Sequence, residues 1–327
     1  MHRQELSIVK YLDKEYKKYT ALPSSSFDNL APSDEGDLFV STNDLIQTHY
    51  DEDIEFFKCF LDPSYMTYTM AYYGDSDVNS LSIEDAQVNK FELIIERAEI
   101  TDGAKILNIG CGFASFDRYL ISKYPNVEVV GVTPSNVQSE YINGCIRDDA
   151  AFAKQFTLHK TVFDYDYVKA LSKEDIKFDV IISIGVLEQL NNIKEFLRLS
   201  SGLLKHEGVS FHHFITSSIP TPQVQLDSKA IIGKYFPGGR VWPHAEFVKY
   251  QDDMVLDKAW QINGMNYHKT LTAWHDRFWC ALPDLIEKGF SLDQAKHWND
   301  YFMLCRCLFA SQNGGFYQVS HYLHRRS

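Results

Sequence analysis

One segment restricts the folds open to this 327-residue chain more than any other. From Ala104 to Gln138 it reads AKILNIGCGFASFDRYLISKYPNVEVVGVTPSNVQ. An apolar run, Ile106, Leu107 and Ile109, ends in Gly110-Cys111-Gly112. A helix-like stretch carrying Phe116, Leu120, Ile121 and Tyr124 follows, then a second apolar run from Val127 to Val132. The order predicts one βαβ unit with a glycine turn at the end of its first strand. Glycines there let the backbone pass close beneath a ligand, and the following helix presents free N–H groups.

The spacing of that turn selects among ligands. A nicotinamide or flavin fingerprint needs G-x-G-x-x-G. Here the turn reads G-C-G-F-A-S, with Ser115 where the third glycine would stand. The pattern favours S-adenosylmethionine, which has no pyrophosphate to cradle. G-x-G alone is as often a packed turn as a ligand site; the surrounding βαβ unit is what separates the two.

Bulk properties exclude several classes. A 45% hydrophobic content supports a full core, and 22 Phe, 19 Tyr and 5 Trp supply many aromatic walls. A net charge of −12 opposes binding to a nucleic-acid backbone or to anionic membranes through bulk charge. The six cysteines, at 59, 111, 145, 280, 305 and 307, match no zinc or paired-thiol spacing. Asp252-Asp253 is a lone acidic pair, and no metal is expected. The N-terminus lacks an apolar signal core, and no apolar run approaches the ~18 residues that span a bilayer. A soluble cytoplasmic protein is expected, and association into a homo-oligomer is compatible with the composition.

Alternating strand candidates (105–109, 127–132, 156–163, 178–184, 208–216) and helix candidates (115–124, 135–147, 191–204) predict an α/β fold with an open doubly wound sheet. A charged helical arm is expected over 5–19, a loop over 21–37, and a helix over 42–61. An aromatic segment from Tyr65 to Tyr73 suits either a hairpin or a pocket wall. Ser82 with Asp85 three residues on predicts a capped helix start. Helices near 271–288 and 292–311 and a late strand over 316–323 complete the sheet. The expected division is an arm and active-site segment over 1–80 and a main domain over 81–327. A cap insertion over about 218–290 would cover the strands' carboxyl ends, where such sheets bind ligands.

Short motifs in one order carry a family resemblance. They include His49-Tyr50-Asp51, Tyr68-Thr69-Met70-Ala71-Tyr72-Tyr73, Ile83-Glu84-Asp85-Ala86-Gln87, Gly110-Cys111-Gly112 and Gly131-Val132-Thr133-Pro134-Ser135 with Gln138. Later come Phe236-Pro237-Gly238-Gly239, Tyr250-Gln251-Asp252-Asp253, Asn263-Gly264 with Tyr267, and Val319-Ser320-His321. From about His49 onward the chain resembles the cyclopropane-fatty-acid-synthase superfamily of S-adenosylmethionine-dependent methyltransferases. It is most similar to the coclaurine N-methyltransferase-like branch.

The resemblance implies a class I methyltransferase fold, Rossmann-like, and S-adenosylmethionine as donor. It implies Gly110 and Gly112 under the methionine part, Tyr68 and Thr69 at its carboxylate, and Thr133 and Gln138 on the ribose side. Asp164 would accept from the adenine amine, and Ile184 completes the donor set. Asn108 stands where the family usually carries Asp; an amide keeps an acceptor but not the charge.

At the reacting centre the resemblance implies Glu188, His213 and Tyr267. In the cyclopropane branch these residues, with the backbone at Ile215, would hold a bound bicarbonate that acts as base. Met70 replaces the remaining holder, a cysteine. In the N-methyltransferase branch a Glu-His pair does this work, and here it reads Glu188-Gln189, so position 189 cannot take up a proton. Met70, Tyr72, Phe236 and Trp274 are expected to wall the acceptor pocket, whose aromatic faces suit apolar or cationic groups. Ordinary core packing is the competing explanation for each aromatic taken singly.

The resulting expectation is methyl transfer to a small or medium-sized, largely apolar acceptor, first of all an amine nitrogen. The alternatives are carbon methylation or cyclopropanation of a lipid or isoprenoid alkene, and a protein that binds the donor without turnover.

Overall fold

The computed structural model describes residues 3–22, 34–39, 54–74, 81–221 and 239–326. The strands are β1 (Lys105–Ile109), β2 (Glu128–Val132), β3 (Phe156–His159), β4 (Phe178–Ile184), β5 (Leu204–Ser217), β6 (Trp242–Pro243), β7 (Met254–Ile262) and β8 (Tyr317–Arg326). They form one sheet in the order β3-β2-β1-β4-β5-β8-β7, with β6 beside β5. β1 to β5 run parallel, and β8 is antiparallel to both of its neighbours.

The helices are α1 (Arg3–Thr20), α2 (Ile54–Phe60), α3 (Ile83–Arg97), α4 (Ser115–Lys123), α5 (Asn136–Asp148), α6 (Ala150–Gln155), α7 (Tyr165–Lys173), α8 (Ile193–Leu203), α9 (Met265–Glu287) and α10 (Leu292–Ala310). Both sheet faces are covered, which is why the parallel strands read as near-continuous apolar runs. Phe91, Ile94, Phe116, Leu120 and Ile142 pack on one face. Leu187, Ile193, Phe196, Leu197 and Leu203 pack on the other.

A separate aromatic core joins α2, α9 and α10. Phe56, Phe60, Trp274, Phe278, Trp298 and Phe302 are buried together there. Each such side chain contributes roughly 1.5–3 kcal/mol on leaving water. That core holds the helical layer over the strand ends. α1 is tied to α10 by a buried ion pair, Glu5 to Arg306 at 3.2 Å, and by the Asp13 carboxylate, which accepts from Ser311 Oγ at 2.8 Å.

Several sequence expectations shift. The third strand stops at His159 rather than 163, because the chain turns into α7, whose N-cap is Asp164. Within the expected cap over about 218–290, residues 254–262 are instead the edge strand β7. A register shift between Leu256 and Lys258 breaks its alternation, and its charged residues face solvent, as suits an edge. The late strand forms as β8, runs on to Arg326 and lies between β5 and β7. The loop over 21–37 and the helix over 42–61 lie partly outside the described residues, as does part of the cap; the helix is present from Ile54. Ser82 caps α3 as expected, accepting from the Asp85 N–H.

Candidate active site

Two cavities meet at the carboxyl end of the sheet. The first encloses about 1130 Å³ and the second about 1200 Å³, open solvent at their mouths included. Tyr68, Thr69 and Gly185 line both, so these three residues form the wall between them.

The first cavity is built by the glycine turn. Gly110 and Gly112 have φ of +70° and +59°, a region that disfavours side chains. A Cβ on Gly110 would sit 2.3 Å from Val186 Cγ2, whereas the space beside Gly112 is open. The turn therefore packs on one side and leaves room for a ligand on the other. α4 then starts at Ser115 behind Ala114, which has no side-chain cap bond, so the first-turn amides are not covered by one. Met66 O accepts from the Ser115 hydroxyl at 3.2 Å and ties the aromatic segment to this turn.

That segment is irregular backbone held from both sides. The Asp62 carboxylate accepts from Tyr65 N and Thr67 N at 2.6 and 2.8 Å. From α3, Gln87 Nε2 donates to Thr69 O at 3.0 Å and Lys90 Nζ to Thr69 Oγ1 at 2.7 Å. From α9, Thr270 Oγ1 accepts from Ala71 N and Asn266 Oδ1 from Tyr73 N. The segment is thus a pocket wall, not a hairpin.

Tyr68, Thr69, Asn108, Gly110, Gly112, Thr133, Gln138 and Ile184 all line the first cavity. Thr133 Oγ1 donates to Gln138 Oε1 at 2.6 Å, which leaves the Gln138 amide nitrogen as the donor of that side chain. Asp164 is not among the lining residues, contrary to expectation. It is exposed, and its carboxylate caps α7 by accepting from Tyr167 N at 2.8 Å; Val162 and Phe163 line the cavity instead.

Two charged residues here escaped the sequence reading. Asp117 is fully buried behind Asn108, and burial raises its carboxyl to about 7. It accepts from Asn108 Nδ2 through both oxygens, so Asn108 turns its Oδ1 elsewhere, buried and without a partner among the described residues. An orphan acceptor on the wall of this cavity fits an ammonium group. Lys90, also fully buried and lining the cavity, is lowered by burial to about 7, with Asp62 opposing. A cation in reach of Thr69 fits a carboxylate. The wall thus matches the two ends of an amino acid moiety, and these residues suit S-adenosylmethionine. The only hint of Lys90 and Asp117 in the sequence is a charged residue on a helix flank otherwise destined for burial.

The second cavity is mainly apolar and aromatic. Met70, Tyr267, Leu271, Trp274, Tyr301, Phe309 and Val319 line it, with Glu188 and His213 among them. Tyr267 stacks on Phe309 with ring centroids 4.3 Å apart. Glu188 sits in a short turn after β4; its Oε1 accepts from Ile215 N at 2.9 Å, and Oε2 has no partner among the described residues. Burial raises this carboxyl to about 7, opposed by the Ile215 N–H bond. His213, on the inner face of β5, is held well below the ordinary histidine range by burial and by the cations Lys90 and Arg97.

Glu188, His213, Tyr267, Met70 and Trp274 are therefore brought together. Tyr72 is not: it packs with Met70, Ile262 and Val319 but faces a shallow surface depression with Glu92 and Leu93. Phe236 lies outside the described residues. Arg240, Tyr301 and Cys305 line the cavity without having been anticipated, the last two from a helix remote in sequence. Burial pushes the Cys305 thiol up to about 12 and keeps it protonated. Among the described residues no cluster of three or more His, Cys, Asp or Glu could hold a metal. No described helix is long and apolar enough to cross a membrane.

Comparison with known proteins gives the family and the fold. The family model for mycolic acid cyclopropane synthetase matches residues 40–319. The cyclopropane-fatty-acyl-phospholipid synthase of Escherichia coli is 29% identical over 274 residues, 83% of this chain; the chain spans 65% of that relative's length. N-methyltransferase 4 of Papaver somniferum is 28% identical over 260 residues, covering 76% of this chain and 71% of the relative. A crystal structure of coclaurine N-methyltransferase bound to N-methylheliamine and SAH superimposes with a TM-score of 0.84 at 23% identity, covering 98% of this chain and 94% of that one. The chain thus belongs to the mycolic acid cyclopropane synthetase family and has the class I fold of S-adenosylmethionine-dependent methyltransferases.

Proposed function

We propose that the protein transfers a methyl group from S-adenosylmethionine to an amine nitrogen on a small or medium-sized, largely apolar acceptor. The observation that carries this reading is Glu188 Oε2, a buried carboxylate oxygen without a partner among the described residues, on the wall of an aromatic cavity that shares Tyr68, Thr69 and Gly185 with the donor cavity. When bound, S-adenosylmethionine supplies a methyl carbon on a positively charged sulfur, open to in-line attack.

The protein's own groups supply the rest. Gly110 and Gly112 admit the donor, Asn108 Oδ1 meets its ammonium, and Lys90 with Thr69 meets its carboxylate. An amine enters as an ammonium ion and cannot attack until it loses a proton. Glu188 is the acceptor for that proton, because its raised pKa lies close to neutral pH. The faces of Tyr267, Trp274 and Tyr301 then favour the cationic product nitrogen. The shared wall holds nucleophile and methyl carbon together, which is most of what a displacement needs.

A second reading is carbon methylation or cyclopropanation of an alkene. It is favoured by the apolar lining and by the grouping of Glu188, His213 and Tyr267. A bicarbonate base would need donors there, and the Ile215 N–H already donates to Glu188, which counts against it. Mass spectrometry of products from methyl-labelled donor, incubated with pooled amines and with unsaturated lipids, separates the readings. Labelled amine supports the first and labelled lipid the second. Donor binding with no product from either pool marks a binding-only protein.

A further inference from the structure

The inner face of β5 carries a chain of nitrogen contacts that the reaction scheme above does not use. His213 Nδ1 lies 2.7 Å from His321 Nε2, and His321 Nδ1 lies 2.9 Å from Arg97 Nη1. His213 and His321 are buried, on paired positions of β5 and β8, while Arg97 is half-buried at the end of α3 with its guanidinium 4.7 Å from the Trp260 ring centroid.

The direction of each bond follows from the far end. A guanidinium has donors and no acceptor. His321 must therefore accept at Nδ1. A neutral imidazole then carries its proton on Nε2, and that N–H donates to His213 Nδ1. Both rings are held well below the ordinary histidine range by burial, and the cations Lys90 and Arg97 act on each, so both are neutral near pH 7. With Nδ1 accepting, the His213 proton sits on Nε2, the remaining nitrogen of a ring that lines the second cavity.

We propose that Arg97 and His321 are positioning residues that lock His213 in the Nε2–H tautomer, so that His213 offers the acceptor cavity a hydrogen-bond donor and the base is Glu188, the only carboxylate among the described residues that line it. This rests on reading the second cavity as the acceptor site. The same chain resembles a proton wire from the cavity to the sheet edge, but it is a dead end, because Arg97 has no lone pair to receive a proton. The site is therefore polarised. Glu188 recognises a group that gives up a proton, and His213 a neighbouring oxygen or nitrogen that accepts one. An acceptor carrying both an amine and a nearby hydroxyl, ether or carbonyl oxygen would use both.

Nitrogen-15 NMR of the histidine rings tests the lock without any substrate. The His213 signal is identified by its loss in His213→Gln. In the wild-type protein Nε2 is expected at the protonated-nitrogen position and Nδ1 at the bare one; the reverse pattern overturns the proposal. Arg97→Met frees His321 Nδ1, so a mixture of His213 tautomers is expected, and an unchanged pattern overturns the lock. His321→Gln keeps a donor toward His213, with its amide oxygen turned to Arg97, so the wild-type His213 pattern should persist. Its loss in that variant also overturns the proposal. If Arg97→Met does not fold, the wild-type and His321→Gln spectra still decide. Failure of the acceptor-site reading would show instead as an absence of methylated product, with the His213 spectrum intact.

Discussion

Asn108 donates its amide N–H₂ to both carboxylate oxygens of Asp117, at 2.9 and 3.0 Å, and this one contact fixes which way the amide faces. The oxygen is left buried and without a partner among the described residues, in a side chain that lines the first cavity. The carboxylate that the resemblance led one to seek at position 108 stands behind it, nine positions on, at Asp117 in the first turn of α4.

Replacing Asp117 by Asn should therefore weaken donor binding by about tenfold, or about 1.4 kcal/mol, with little change in turnover at saturating donor. Titration calorimetry with S-adenosylmethionine and saturation kinetics measure the two separately. Undiminished affinity would show that Asp117 does not orient the amide.

Glu188→Gln should lower turnover by about 100-fold or more, the ordinary range for a lost proton acceptor, while donor affinity changes little. In the wild-type protein the rate should fall as pH drops below about 7, where the carboxyl takes up its proton. Parallel losses in turnover and donor affinity would contradict the assignment.

The same carboxyl has a signature in stability. Burial raises it from 4.5 to about 7. Between those values the folded chain retains a proton that the unfolded chain has released, so stability declines as pH rises through that window. Glu188→Gln removes the decline. Its Tm should exceed the wild-type value at about pH 8, and the gap should close toward about pH 4. A gap independent of pH would mean that Glu188 is not the titrating group.

Lys90 titrates in the opposite sense. Burial lowers it from 10.5 to about 7, so in the alkaline range the folded chain holds a neutral amine. A carboxylate arriving beside Nζ favours the ammonium form, so donor binding near pH 8 should take up a proton. Calorimetry in two buffers of different ionisation enthalpy reads this directly, and identical heats would refute it. Lys90→Met, which fills similar volume, should weaken donor binding about tenfold.

Gly110→Ala should destabilise the fold by about 1–3 kcal/mol, since it adds both left-handed strain and overlap with Val186. Chemical denaturation measures the change, and Gly112→Ala is the comparison. It carries the same backbone strain but adds its methyl to open cavity, so its effect on donor binding should be the larger of the two.

The lining of the first cavity was legible in the sequence to the extent that it is local. Gly110, Gly112, Thr133 and Gln138 belong to one βαβ unit, and a turn between a buried strand and a helix has few conformations. Asp164 fits the same logic and fails it: an Asp just before a helix is drawn to the free N–H groups of that helix, and its carboxylate is used there. Lys90 was invisible because a lysine at the edge of an apolar helix face reads as solvent-exposed; only the packing of α3 under Thr69 buries it.

The amino-acid sequence by itself determined the alternation of the parallel strands with their helices and the place of the glycine turn, because these follow from periodicity and from contacts between near neighbours, while the resemblance to the family rested on short motifs in one order. The tertiary structure alone decided which charges are buried, which partners the His213 and His321 nitrogens meet, and which aromatics line the second cavity. Those properties depend on α3 packing under Thr69, on β5 meeting β8 and on α9 and α10 closing over the strand ends. They join residues from 9 positions apart, Asn108 and Asp117, to 224 apart, Arg97 and His321, through desolvation and hydrogen-bond direction that no local pattern encodes.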